Sequence, residues 1–392
     1  MKRPGGSHLE YHLLVLVTLG LVAFGLVMVY SASSARALLS ADAPSYYLKR
    51  QAIYAVMGLV ALVILSRFDF HRLRHATQPL LAVTFVLLVA VLAIGTAVNG
   101  ARRWIPIGFM NFQPSELAKL VLALWTAALL ARRPAPRTLG ELAKPIGVVV
   151  GLACALILIE PDLGTAIAIA IMVSAILVVS GTRLRLLASA AGIATSVVLI
   201  AIWLEPYRRE RIFSFLDPWH DPQGAGFQSV QSMIALGSGG FFGVGLGESV
   251  QKIYYLPEAS TDMIFAIVGE ELGLIGAMGV IAAFAVFAYA GFNIALHCRD
   301  PFGKRLAAGI TALICGQAAV NVSAVMGIAP LTGIPLPFVS YGGSRLVVGL
   351  AAVGILLNIA SNHAVVRETE VPDRGRRNRR TRASGTRRRR VA

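Results

Sequence analysis

Charge is scarce in this chain. Only 14% of its 392 residues are Asp, Glu, Lys or Arg, against 56% hydrophobic residues, and the mean hydropathy is +0.70. A water-soluble domain needs far more polar surface, so the composition excludes one and implies a polytopic membrane protein. Acids are scarcer than bases, 20 against 36, and each acid inside an apolar run needs a physical reason. Cysteine is scarcer still. Cys154, Cys298 and Cys315 lie in or beside apolar runs without CxxC or metal-ligand spacing, which excludes a disulfide framework and leaves reduced thiols. No GxxxxGK run followed by Ser or Thr occurs, so nothing points to a nucleotide. There is no internal repeat of the kind found in many transporters.

What is abundant is apolar sequence in runs of about 20 residues, the length that crosses ~30 Å of hydrocarbon. Ten such runs fall near 11–30, 51–66, 79–98, 115–131, 145–159, 163–181, 184–204, 262–291, 305–329 and 341–361. The first exceeds the roughly 7–15 residues of a signal-peptide core and reads as a retained anchor. With the N-terminus in the cytoplasm, the inner connections hold 14 Lys and Arg against 10 outside, before the C-terminal tail is added. That bias obeys the positive-inside rule. The expected fold is an all-α polytopic membrane protein of ten transmembrane helices, with both termini cytoplasmic. Residues 1–366 form the membrane domain and 367–392 a basic tail. The tail holds eleven Arg and three acids, half of the net charge of +16. It lacks the apolar residues of a core and reads as a disordered tether to anionic membrane lipid, with no nucleic-acid partner. The longest outer connection, 205–261 between the seventh and eighth runs, contains Pro218, Pro222 and Gly224 but also Trp219, Phe227, Phe241, Phe242, Tyr254 and Tyr255. So many aromatics argue for a folded extracytoplasmic cap, with a short interfacial helix over 229–236.

Several polar groups stand out against this background, each with two readings. Thr261-Asp262 opens the run 262–291. Asp262 either complements the dipole of that helix from its first turn or serves as a base at the mouth of a membrane cavity. Glu270 follows eight residues later, about 12 Å deeper and ~80° around a helix. Glu270 and Glu271 either face the same cavity or hydrogen-bond to neighbouring elements. Glu116 and Lys119 are spaced i, i+3, so they meet on one helix face as a buried pair or as cavity groups that position an anionic substrate. Arg102 and Arg103, beside Trp104, either snorkel to the interface or hold a diphosphate with their guanidinium forks. Glu160 and Asp162 flank Pro161 in a tight turn. They would ligate a divalent cation, Mg2+ or Mn2+, or Asp162 would cap the next helix; the cap is preferred. Finally GIPLPFVSYGGSR, 333–345, breaks its run with prolines and glycines. Ser340, Tyr341, Gly342, Gly343 and Ser344 there form a plain turn or a cavity wall whose N–H groups meet an anion. Without a nucleotide, transfer chemistry here draws on a substrate activated in the membrane, such as a lipid-diphosphate sugar.

Taken in order, the motifs VYSAS (29–33), GARRWI (100–105), FQPSELAKL (112–120), EPDLGTA (160–166), DPWHDPQGAGFQSVQS (217–232), the run 237–276 and TGIPLPFVSYGGS (332–344) resemble the SEDS family (shape, elongation, division and sporulation). The likeness is strongest to its cell-division, FtsW-like branch. The resemblance implies a peptidoglycan glycosyltransferase that polymerises lipid II at the outer face of the plasma membrane, at the division septum. The other substrate would be the undecaprenyl-diphosphate-linked glycan chain. The partners would be a class B penicillin-binding protein transpeptidase and other division-complex membrane proteins. It also implies that Asp262 is the essential acid, here read as the general base, with Glu116, Lys119 and Asp162 in the cavity. Arg102, Arg103, Glu270 and residues 340–344 complete the candidate substrate contacts. No residue is assigned to a metal. The chain departs from the family pattern at Ser260, Met263 and Arg345, where His, Phe and Ser are usual. The alternatives are a lipid II flippase and a non-catalytic scaffold of the division complex; a sporulation paralogue is the alternative within the family.

Overall fold

A computed structural model describes residues 6–39, 44–98, 101–108, 110–203, 209, 213–253 and 256–369. Among the described residues, eleven helices carry the fold. They are α1 (Gly6–Leu39), α2 (Tyr46–Arg67), α3 (Phe70–Ile94), α4 (Pro114–Arg132), α5 (Leu139–Ile159), α6 (Leu163–Val179), α7 (Leu184–Trp203), α8 (Phe227–Gly239), α9 (Ile264–His297), α10 (Pro301–Val325) and α11 (Gly343–Thr369). Among the described residues, eight helices are long and apolar enough to cross a membrane, and α6 and the apolar part of α7 are shorter. The fold is therefore a mostly helical, multi-pass membrane fold. Helix α8 lies where the sequence predicts a short helix, over 229–236. The basic tail from 370 on, Arg208, Arg211, Tyr254 and Tyr255 lie outside the described residues.

Local chemistry sets the helix ends. The Asp69 carboxylate accepts from the His71 N–H to open α3, and the Asp300 carboxylate accepts from the Gly303 N–H with Pro301 in the first turn of α10. Helix α4 is the hub: 83% of its most apolar window is buried, against 22% for α2, α3 and α5, which face outward. Lipid is as apolar as leucine, so close packing rather than water exclusion must hold such helices together. At the α2–α11 seam a Cβ on Gly354 would run into the Leu62 backbone, so the two helices touch main chain to main chain.

Two expectations are corrected. The fold is not purely helical. Helix α3 stops at Ile94, and the chain forms an antiparallel sheet of β1 (Thr96–Val98), β2 (Ala101–Ile107) and β3 (Met110–Phe112), in that order. The pairings Val98↔Ala101 and Ile107↔Met110 leave two-residue connections, Asn99-Gly100 and Gly108-Phe109. Asn-Gly is a strong hairpin signal, and Gly108 has φ +58°. The second correction concerns Asp262. Helix α9 starts at Ile264, with Met263 as its N-cap and no acid in its first turn. Asp262 sits in the turn before the helix, so it is not the dipole partner of α9 and its geometry relative to Glu270 is not helical.

Helix α9 itself is broken. Gly273 has φ +64° and ψ −162°, outside helical values. In a straight helix the Leu274 and Ile275 N–H groups would donate to the carbonyls of Glu270 and Glu271. Here they donate to Gly240 and Phe241 carbonyls at 2.9 and 3.3 Å, while Val244 and Gly245 N–H groups donate to Glu270 and Glu271 carbonyls at 2.9 and 3.1 Å. The glycine-rich loop thus takes up all four backbone groups that the break releases, which is how a kink in a membrane helix is sustained. The approach is so close that a Cβ on Gly243, itself at φ +80°, would overlap the Glu271 carbonyl. Residues after Gly273 run about 36 Å at 1.5 Å per residue, enough to cross the bilayer alone. The part before the kink carries Glu270 and Glu271, whose carbonyls are bonded by the glycine-rich loop.

Gly243→Ala should therefore lower the thermal unfolding midpoint in detergent by several degrees, a strain of about 1–3 kcal/mol. Gly279→Ala, at a helical position with open space around it, should be neutral or mildly stabilising. Equal effects of the two would contradict the account of the kink.

Candidate active site

The glycine-rich loop passes its rigidity on through two buried carboxylates. Glu271, fully buried, accepts from Ser31 of α1 at 2.6 and 2.7 Å and pairs with Lys252 at 2.8 Å; Lys252 also donates to the Gly247 carbonyl at 2.6 Å. Glu270 accepts from the Ser249 hydroxyl and from the Val250 N–H at 3.0 Å. The expectation that Glu270 faces substrate is thereby corrected: its oxygens are spent on fixing residues 249–251. Both acids hold the strand of chain that leads to Asp262.

Two segments hold the turn that carries Asp262, and two more brace the second of them. Asn321 of α10 donates to the Asp262 and Ile334 carbonyls, both at 2.7 Å. The Ser340 hydroxyl donates to the Thr261 carbonyl at 2.6 Å and accepts from the Leu336 N–H at 2.8 Å. Tyr341 N–H donates to the Ser260 carbonyl, and buried Gln51 of α2 bridges the Ser340 carbonyl and the Gly342 N–H. Ser344 donates to the Asn111 carbonyl and accepts from the Gln113 N–H, which ties the start of α11 to β3. Gly343 packs flat on the Tyr54 ring. So Ser340, Gly342, Gly343 and Ser344, expected to touch substrate, brace Asp262 and the cleft; of the five, Ser340 and Tyr341 also line the cleft, the Tyr341 ring packing edge-on against Tyr47.

The cleft lies beside them. It encloses about 620 Å³, counted to its open mouth, and Glu116, Lys119, Gln317, Ser340, Tyr341 and Arg345 supply its polar lining. Lys119 pairs with Glu116 at 2.7 Å, both nearly fully buried, and Arg345 approaches the other Glu116 oxygen at 3.3 Å. The i, i+3 pair expected from the sequence is therefore present. Arg345, the residue that departs from the family pattern, is the third charge in it. With one carboxylate between two cations, the lining carries net positive charge and fits an anionic guest.

Asp262 is only partly buried and is not among the residues that line the cleft; Arg345, which lines it, acts on Asp262 through its charge. Burial holds its carboxyl above the usual carboxylate range. The Arg345 charge pulls in the opposite direction, Glu258 and Asp162 push upward again, and Arg103 opposes them. Asp162 is the helix cap: its carboxylate accepts from the Thr165 N–H at 2.9 Å, the Thr165 hydroxyl at 2.8 Å and the Gln113 side chain at 3.2 Å. Arg103 on β2 donates to the Glu160 and Pro161 carbonyls, so it braces that turn, whereas Arg102 is exposed on the same strand. Glu160 is buried with neither side-chain oxygen hydrogen-bonded, and burial pushes it up to about 8. Both Asp162 oxygens are occupied by Thr165 and Gln113, so a divalent cation at this turn would draw its side-chain ligands from Glu160, whose two oxygens are buried without a partner. Among the described residues no group of three or more His, Cys, Asp and Glu is arranged to hold a metal.

Residues 11–364 match the model of the FtsW/RodA/SpoVE family, described as cell cycle proteins. The chain belongs to that family. Family members among the curated proteins include the probable peptidoglycan glycosyltransferase FtsW of Trichlorobacter lovleyi, 43% identical over 90% of this chain and 93% of that one. Stage V sporulation protein E of Bacillus subtilis is 40% identical over 89% and 96%. Among solved structures, a chain of a peptidoglycan synthase complex that coordinates polymerization and crosslinking superposes with TM-score 0.74 at 32% identity, over 89% of this chain and 97% of that one. The rod shape determining protein RodA of Thermus thermophilus does so with TM-score 0.66 at 29% identity, over 89% and 96%.

Sequence reasoning assigned no site role to Arg345, Gln51, Gln113, Asn321 and Lys252. Arg345 and Lys252 left a signal, as cations on the side where the positive-inside rule disfavours them. Because Arg345 is the strongest influence that favours ionised Asp262, Arg345→Gln should move the Asp262 titration to higher pH. Infrared titration with labelled aspartate would follow it; an unmoved or lowered transition would contradict the electrostatics.

Proposed function

We propose that this protein is a peptidoglycan glycosyltransferase that polymerises lipid II at the outer face of the plasma membrane, and that Asp262 is its general base. The observation that carries the reading is a partly buried acid held above its normal range beside a cleft whose lining is net positive. The names of the relatives support it. Ten spans with both termini cytoplasmic, and residues 205–261 as the extracytoplasmic cap, belong to the same proposal. Helices at all ten apolar runs and the excess of Lys and Arg on the inner connections support that topology.

In the reaction, the 4-hydroxyl oxygen of the GlcNAc of one lipid II attacks the anomeric carbon of the MurNAc at the diphosphate end of the growing chain. Asp262 accepts the hydroxyl proton, the new C–O bond forms, and the bond from the anomeric carbon to the diphosphate breaks. Undecaprenyl diphosphate leaves with the electron pair. An α-linked diphosphate becomes a β-1,4 linkage, so the configuration inverts. Lys119 and Arg345 are the cations placed to meet the leaving diphosphate, with Arg102 at the outer rim; Arg103 acts by bracing the 160–162 turn. A carboxyl with a raised pKa is a stronger base once ionised, and a positioned base contributes about 10²–10⁴-fold. No step is routed through a metal. A class B penicillin-binding protein is the partner this reading implies, supported by the likeness to a chain of a synthase complex, and the division septum is the implied location.

Incubation of labelled lipid II with purified protein and its partner transpeptidase should give glycan ladders. Asp262→Asn should lose them by at least about 100-fold while keeping its fold and partner binding. Ladders of normal length from Asp262→Asn would remove the base assignment. Translocation of lipid II without ladders from the wild type would favour a flippase, and neither activity would favour a scaffold.

A further inference from the structure

A second cleft lies at the other end of α3 and α4. Helix α4 enters the site described above at Glu116 and ends at Arg132, and β1–β3 join α3 to α4 on the Asp262 side. The first turns of α3 and the last turns of α4 therefore meet at the opposite face of the membrane. Between them is an open cleft of about 700 Å³ lined by Arg74, His75 and Gln78 from α3 and by Trp125, Leu129 and Arg132 from α4, among others. The spacings 74/78 and 125/129/132 put each set on one helix face. No carboxylate lines the cleft among the described residues. The Arg74 Nε is shut off from solvent and has no hydrogen-bond partner. A buried guanidinium N–H without an acceptor is costly, so this one points to a group that supplies oxygen atoms.

We propose that this cleft binds the phosphate of an anionic phospholipid. Arg74 from α3 and Arg132 from α4 both line it, and guanidinium forks match phosphate oxygens. Helix α4 ends at Arg132, so the cleft opens at headgroup depth, where basic pockets between membrane helices take lipid head groups. Trp125, Ala128 and Leu129 give it an apolar wall that a free inorganic anion would not use but a glycerol backbone would. The inference rests on the fold alone and stands whether or not the glycosyltransferase reading does.

The test is lipid retention by the full-length protein in neutral detergent, read by native mass spectrometry during titration with phosphatidylglycerol or phosphatidylcholine. The wild type should prefer phosphatidylglycerol by about tenfold. The double variant R74Q/R132Q should lose the preference. R133Q/R137Q, which removes the same charge from neighbouring exposed arginines, should keep it. R74K/R132K, which keeps charge but not the forks, should retain an intermediate preference, and it replaces R74Q/R132Q if that variant does not unfold cooperatively in phosphatidylcholine. No preference in the wild type, or equal loss in R133Q/R137Q, would overturn the site. Thermal protection by inorganic phosphate equal to that by phosphatidylglycerol would overturn its assignment to lipid.

Discussion

The architecture around Asp262 depends on a four-way exchange of backbone hydrogen bonds at Gly273. A break in α9 releases two carbonyls and two N–H groups, and the loop 240–245 binds all four. Each such group left buried and unpaired would cost about 1–3 kcal/mol, so the kink and the loop stabilise each other. Glycine is required on both sides because the two backbones are in contact. The buried Ser31–Lys252–Glu271 cluster then anchors the same loop to α1. An ion pair so deeply buried is weak evidence of net stability, but removing one partner would strand a charge. Its consequence here is to fix one conformation of the chain that delivers Asp262.

From that anchored loop, rigidity passes to the turn at 261–262 and on to the segment 334–344 through Asn321, Ser340 and Gln51. Most polar side chains near Asp262 are consumed by scaffold bonds. The polar groups left facing the cleft are few: Glu116, Lys119 and Arg345 carry charge, with Gln317, Ser340 and Tyr341 beside them. A site with that division of labour holds its guest by charge and orients its acid by backbone contacts, which is how a preorganised site stabilises charge that develops in reaction.

The helices were legible because lipid demands long apolar runs, and each of the ten runs contains a helix. The Glu116–Lys119 pair was legible because i, i+3 geometry is local. The helix-cap role of Asp162 was legible for the same reason. The small sheet was readable too, in Asn99-Gly100 and its flanking residues, but the surrounding hydropathy masked it. What could not be read were contacts across long sequence separations. Glu270 looks like a membrane acid until the loop folds over it. Ser340 and Ser344 look like anion ligands until Thr261 and Asn111 meet them. Arg345 looked like a local departure, because its partner Glu116 lies more than two hundred residues earlier.

The central claim is that Asp262 and the Glu116–Lys119–Arg345 cleft serve one bound substrate. A structure of the Asp262→Asn variant with lipid II trapped in it tests this most directly. The account predicts a sugar hydroxyl within about 3 Å of residue 262 and the diphosphate against Lys119 and Arg345. A lipid II molecule bound elsewhere on the protein, with its diphosphate away from that cleft, would contradict it.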